Sequence, residues 1–188
     1  MDAKAISQLF QRIDREVWVV TAAHAGRRGG LVATFVAPSS IVPEMPRIIM
    51  GIAKTHETWK LIEGSGAFAA HLIEPAQAEL VWRFGLTSSR DVDKFAGLEV
   101  DRAATGSPIL RDALAWLDCR VETRMDTGDR TIYLGAVCEG ASKSDARPLS
   151  VETLLASAPA ERIQTLREQM KADAARDAEA IRQWRLRR

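Results

Sequence analysis

A chain of 188 residues holds one ordinary domain with a short surplus, and at that size folding buries roughly 70% of the unfolded surface without a metal or disulfide staple. Its composition is 46% apolar and 27% charged with a net charge of +1, which lacks the basic excess of a nucleic-acid module or a membrane-surface protein. The two cysteines, Cys119 and Cys138, lie in apolar, strand-like runs with no metal-ligand spacing, so buried reduced thiols in a reducing compartment are expected. No apolar run approaches the ~18 residues of a membrane span, and the first residues lack the apolar core of a signal peptide. A soluble, cytoplasmic protein is the expectation.

Ile6, Leu9, Phe10 and Ile13 recur at helical spacing and predict a short opening helix. Residues 16–23 (EVWVVTAA) read as a strand, 26–30 as a polar turn and 30–36 as the returning strand of a hairpin. The stretch 38–46 is bounded by prolines and cannot be a central strand, whereas 47–53 reads as a buried one. Thr55 offers an N-cap hydroxyl for a helix that stops at Gly64 or Gly66 and turns Trp59 and Ile62 inward. A strand over 67–73, a helix over 75–84 and a polar loop over 87–95 follow. Residues 105–108 form a turn, and the alternating runs 113–123 and 131–139 flank Asp126-Thr-Gly-Asp129 as a hairpin.

Six or so hairpin-linked strands interrupted by short helices predict a mainly β fold with α decoration, an antiparallel barrel occupying 1–148. After Arg147-Pro148 the chain becomes Ala-rich and charge-laced. Residues 149–188 are expected to form a C-terminal helical extension whose thin stripe (Ile163, Leu166, Met170, Ala174, Ile181, Trp184) lies on a partner or on the parent domain.

Several strings invite chemistry. Gly64-Ser-Gly-Ala-Phe-Ala69 matches a dinucleotide fingerprint, but it ends a helix and leads into a strand, the reverse of what that fingerprint requires. His56-Glu57 begins a zinc-protease string that Lys60 breaks. His24 is read as solvated and His71 as a hydrogen-bonded core imidazole, and no nucleophile–base constellation is legible. The segment 30–58 is more informative. Small and hydroxyl residues, a proline-bounded loop, an apolar strand and Lys54-Thr55 at a helix start suit a phosphorylated aromatic cofactor. The competing reading is a strand, loop and capped helix of any β-barrel, with a snorkelling lysine.

Taken in order, these pieces resemble the flavin reductase-like, FMN-binding split-barrel family. The matching residues are Ala33-Thr34 with Val36-Ala37-Pro38-Ser39-Ser40 and Pro46, similar to the family's T-A-x-F-T-P-V-S-x-x-P-P loop. Lys54-Thr55 with Thr58, Gly66-Ala-Phe68, His71-Leu72, Phe84 and Lys94-Phe95-Ala-Gly97 continue the series. Thr105-Gly-Ser-Pro108, Leu117-Asp-Cys119, Gly128-Asp129 and Gly135-Ala-Val137 complete it. The resemblance implies a Greek-key split β-barrel that binds FMN non-covalently, as a homodimer with the flavin near the interface. Carried over by position, Val32, Ala33, Thr34 and Phe35 would line the ring with backbone amides, and Ser39 and Ser40 would sit at its polar edge. Ala53, Lys54 and Thr55 would hold the phosphate, with Thr58, Phe84, Lys94 and Phe95 as further candidates. The chain departs from the pattern at Val32, where many members have threonine, and at Val42-Pro43-Glu44-Met45-Pro46, which replaces a Pro-Pro pair.

The implied activity is NAD(P)H:flavin reductase, passing hydride from nicotinamide to bound FMN, with FAD as an alternative flavin and a monooxygenase or another acceptor downstream. A flavoprotein that keeps its FMN and reduces another acceptor, and a non-catalytic flavin-binding or interaction module, remain open alternatives. No catalytic side chain and no metal site is expected, because the cofactors carry the reactive atoms. The C-terminal helix is expected to add dimer contacts or to cover the pocket.

Overall fold

The computed structural model describes residues 2–187. The opening helix α1 (Ala3–Gln11) is capped by Asp2, whose carboxylate accepts the Lys4 and Ala5 N–H groups at 3.0 Å. Strands β1 (Trp18–His24) and β2 (Arg27–Ala33) pair as a hairpin through Ala25 and Gly26, at φ 49° and 77°. Both left-handed positions suit a two-residue turn that matches the strand twist. The turn expected over 26–30 is therefore shorter and earlier, and Gly29 and Gly30 belong to β2. They are small for packing: a Cβ on Gly30 would lie 2.6 Å from the Phe84 ring, and one on Gly29 2.8 Å from Leu61.

Strands β3 (Val36–Pro38) and β4 (Arg47–Ala53) follow, then α2 (Glu57–Ser65), β5 (Ala67–Leu72), a 3-10 turn at Pro75–Gln77 and α3 (Ala78–Gly85). The cap of α2 is His56 rather than Thr55, without a side-chain cap bond. Gly66 stops the helix at φ 65°, its N–H donating to the Ile62 carbonyl at 2.8 Å, as the Gly64–Ala69 string suggested. Strands β6 (Val100–Arg102) and β7 (Pro108–Leu110) form a small ribbon that the sequence pattern missed. Long β8 (Ala115–Asp126) and β9 (Arg130–Ser142) make the expected hairpin. The terminal segment is two helices, α4 (Val151–Ser157) and α5 (Ala160–Arg185), because Pro159 forces Ala158 into an extended conformation.

Seven strands form one antiparallel sheet in the order β2-β1-β5-β8-β9-β4-β3. Its edges, β2 and β3, are joined by only Thr34 and Phe35. A flat sheet of seven strands would hold those edges roughly 29 Å apart, whereas three residue steps span at most about 11 Å. The sheet must curl, and the result is a barrel split between β2 and β3. Alternation then sorts the side chains: Val20, Ile48, Met50, Phe68 and Tyr133 fill the barrel, with Leu61 and Ile62 of α2 closing one end. Val17, Val19, Phe84, Phe95 and Leu110 form a second core outside it, under α3. Leu149, at the start of the C-terminal extension, belongs to that second core and exchanges backbone bonds with Val17 and Ile73.

One of the two cysteines differs from expectation. Cys119 is buried, and burial pushes its thiol far up, but Cys138 is exposed; both are free. A register shift in the β8–β9 ladder leaves Cys138 without a partner opposite, which turns it outward. No helix among the described residues is long and apolar enough to cross a membrane.

Candidate functional site

A cleft of about 620 Å³ opens where β2, the start of α2, the loop after α3 and the middle of α5 meet. Its walls come from four places in the sequence. Gly30 is on β2, and Thr55, His56, Glu57 and Thr58 are at the entry to α2. Gly85 to Val92 and then Lys94 belong to the end of α3 and its loop, and Gln169, Ala172, Asp173 and Arg176 to α5. Five hydroxyls (Thr55, Thr58, Thr87, Ser88, Ser89) and the cations Arg90, Lys94 and Arg176 supply the donors a phosphate ester requires, beside the carboxylates Glu57, Asp91 and Asp173.

The walls are tied to one another. Lys94 is buried and donates to the Gly30 carbonyl at 2.9 Å and the Phe84 carbonyl at 2.7 Å, joining β2 to α3. Burial lowers its pKa to about 8. The Gly30 N–H donates to Ser89 Oγ at 3.3 Å, and Arg90 donates to the Thr55 carbonyl at 2.8 Å. Glu57 is buried at the first turn of α2 and gathers three cations: Arg27 at 2.8 Å, Lys60 at 3.2 Å and Arg90 at 3.3 Å. Burial pushes its carboxyl up, but Lys60 and Arg27 outweigh that and hold it below its ordinary value. His56 is held below its ordinary value by burial first, then by the charges of Lys94, Arg176, Arg130 and Arg90. Four cations thus act on one imidazole at the cleft. Behind Gly30, Phe84 packs on Phe95 with ring centroids 5.3 Å apart and nearly perpendicular.

The candidates read from sequence fall into separate groups. Thr55, Thr58 and Lys94 line the cleft, whereas Phe84 and Phe95 are buried in the second core, Phe84 packed against Gly30. Val32 is outside the lining but neighbours Gly85 of the wall, where an added Cβ would meet Val32 Cγ2 at 3.3 Å. Ala33 faces the barrel interior, Thr34 is half-buried in the β2–β3 link, and Phe35 projects over Gly51 on the outer face. The Ser39 N–H donates to the Arg47 carbonyl at 2.8 Å, and Ser40 Oγ accepts from the Val42 N–H at 3.1 Å. Ala53 ends β4, and the Lys54 ammonium is engaged by Asp126 at 2.6 Å, outside the cleft wall. Sequence reasoning missed Ser88, Ser89 and Arg90, although hydroxyls beside an arginine directly after a helix were a usable signal. Nothing local marked the residues of α5.

The family model of the flavin reductase like domain matches residues 10–155. The chain belongs to that family. Among its flavin reductase-like relatives, the reductase subunit HsaB of a flavin-dependent monooxygenase from Rhodococcus jostii is 35% identical over 133 residues. That match takes in 71% of this chain and 66% of the relative, so the chain spans just under two thirds of it. A ferric-chelate reductase (NAD(P)H) from Archaeoglobus fulgidus is 28% identical over 80% of this chain and 86% of its own length. Among solved structures, a nitrilotriacetate monooxygenase component B homologue from Mycobacterium thermoresistibile superposes with a TM-score of 0.67. It is 30% identical and is covered over 84% of its length by 79% of this chain.

Proposed function

We propose that this flavin reductase-like chain is an NAD(P)H-dependent oxidoreductase that binds FMN non-covalently, the 5′-phosphate in the cleft and the ring towards the β2–β3 link. The observation that carries the reading is the convergence of hydroxyls and cations (Thr55, Thr58, Ser88, Ser89, Arg90 and Lys94) around Gly30, inside the family match. The cleft fits the group: its volume of about 620 Å³ lies in the ordinary range for cofactor sites. When bound, FMN supplies hydride chemistry, accepting from a reduced nicotinamide and passing electrons onward.

The chain's own residues do the rest. Lys94 fixes β2 against α3, so the cleft keeps its width, and Glu57 holds Arg90 in place. The backbone of Val32, Ala33, Thr34 and Phe35, with Ser39 and Ser40, is assigned to the ring edge on the family pattern. Holding two flat rings in register contributes on the order of 7–11 kcal/mol in favourable cases. Lys94 and Arg90 take the phosphate role expected of Lys54, because they line the cleft and Lys54 does not.

The name of the HsaB relative supports a monooxygenase as the destination of the electrons, and that of the ferric-chelate reductase supports NAD(P)H as the donor. Two free thiols suit a reducing, cytoplasmic setting, and exposed apolar side chains on α1 and after β3 suit a homodimer. The wall that α5 adds to the cleft favours a second reading, a flavoprotein that keeps its FMN and reduces another acceptor. Flavin that dialyses away at micromolar protein counts against that second reading. The proposal itself is tested by mixing the purified protein with NADH or NADPH and excess FMN. Nicotinamide oxidation above background with at least one donor is expected, and none with either would remove it.

A further inference from the structure

Helix α5 buries no residue completely, yet it is fixed at both ends. Near its start Arg162 grips Glu79 of α3 through two bonds of 2.6 and 3.0 Å and lies 5.5 Å over the Trp82 ring. Near its end Asp177 pairs with Arg130 at 3.1 Å. Trp184 packs on Gly128, where an added Cβ would come within 2.7 Å of it. The span between these anchors lies across the cleft. Gln169, Ala172, Asp173 and Arg176 face it at i, i+3, i+4 and i+7, one face of the helix. A face made for core packing would be apolar there. This one is small and polar, with Gln169 donating to the Leu86 carbonyl at 3.1 Å and Arg176 paired with Asp173.

Arg176 is one of three cations lining the cleft, with Lys94 and Arg90, against the carboxylates Glu57, Asp91 and Asp173. Of the carboxylates in the cleft, Glu57 is already met by Arg27, Lys60 and Arg90, and Asp173 by Arg176, while Asp91 sits on the loop after α3. The Arg176–Asp173 pair is an exposed i,i+3 pair, the kind whose mutual hold is weak. A phosphate dianion entering beside Lys94 and Arg90 can take the guanidinium from it. The planar fork suits a phosphate oxygen pair better than any neighbouring lysine would.

We propose that Arg176 is a specificity-determining residue that binds the flavin's 5′-phosphate, so that a helix beyond the matched family region makes this chain select FMN over unphosphorylated riboflavin. The inference rests on the flavin reading above and deepens it.

Fluorescence-quenching titrations of the full chain with FMN and with riboflavin, in wild type, Arg176→Ala and Arg176→Lys, test it. Alanine is the better helix former, so α5 should persist in the variant. Arg176→Ala is expected to weaken FMN about tenfold or more, the scale of one charge-assisted hydrogen bond, with riboflavin unchanged and Arg176→Lys between the two. FMN affinity unchanged in Arg176→Ala, or both flavins weakened alike, would overturn the inference while wild-type FMN binding left the flavin reading standing. A rise confined to the KM of the nicotinamide donor would assign the arginine to that donor and overturn it as well. Wild type that binds neither flavin would remove the reading and the inference together.

Discussion

His71 is fully buried in β5 between the two cores, where Nδ1–H donates to the Val19 carbonyl at 2.9 Å and Nε2 accepts the Leu110 N–H at 3.0 Å. Only the neutral ring satisfies both bonds, since Nε2 must be an acceptor. Burial accordingly lowers its pKa from 6.5 to about 4. The unfolded chain takes up this proton near pH 6.5 and the folded one only near 4. Between those values the unfolded state therefore binds more protons, and stability falls as the pH falls. The loss is about 3 kcal/mol once both states are protonated. Urea unfolding across that window should show it, and His71→Gln should lack that part of the slope. Equal slopes in the two proteins would show that another group titrates. Lys94 carries a different lesson at the same scale. Its resemblance to a cofactor ligand and its two bonds to backbone carbonyls are compatible, because a buried ammonium can brace two elements and still present charge to a cleft.

Among the elements, the contact of α3 with β2 sets the width of the cleft. Phe84 packs directly on Gly30, is held from the far side by Phe95, and is almost fully buried, so it has nowhere to retreat. Gly30→Ala should therefore cost about 1–3 kcal/mol by overpacking and push α3 outward. A lower thermal midpoint together with weakened FMN binding is the expected result, and an unchanged midpoint would show that the ring can move aside. This glycine also shows where sequence reading stops. Gly29-Gly30 looked like turn material, whereas the turn uses Ala25, a residue that seldom adopts a positive φ. Strands β1, β4, β5, β8 and β9 were legible because alternation and β-branched residues mark them locally. The Pro159 break was legible in principle, since the residue before a proline avoids the helical region. Of the candidate site, Thr55 and Thr58 were legible because a strand leading into a helix announces itself. The loop 87–93 and α5 were not, because their approach to β2 is made by tertiary packing alone.

At the scale of the whole molecule, eight of the exposed large apolar side chains fall into two groups, while Val92, Met125, Leu155, Met170 and Leu186 stand apart. Ile6, Leu9, Phe10 and Ile13 lie on or just after α1, and Phe35, Ile41, Val42 and Met45 lie in the stretch joining β2 to β4. Met45 and Phe10 are each more than 60% exposed, and Ile41 is almost wholly so. The barrel splits between β2 and β3, where the ring edge of the cofactor is assigned. Phe35 lies in the link across that split, and Ile41, Val42 and Met45 lie in the loop after β3. Apolar groups left in water in this stretch favour a protein partner, and a second copy of the chain would bury them and shield the flavin at once. The expected mass in sedimentation equilibrium is about twice the 20.7 kDa of one chain. Val42→Glu with Met45→Glu places two carboxylates in the proposed contact without touching the cleft walls. Desolvating them unpaired would cost several kcal/mol, so the double variant should run as a monomer with its thermal midpoint nearly unchanged. If the double variant keeps the dimer, the contact lies elsewhere, with the exposed face of α1 as the next candidate. A wild-type protein that sediments at the mass of a single chain would remove the dimer and leave the cleft to be completed by α5 alone.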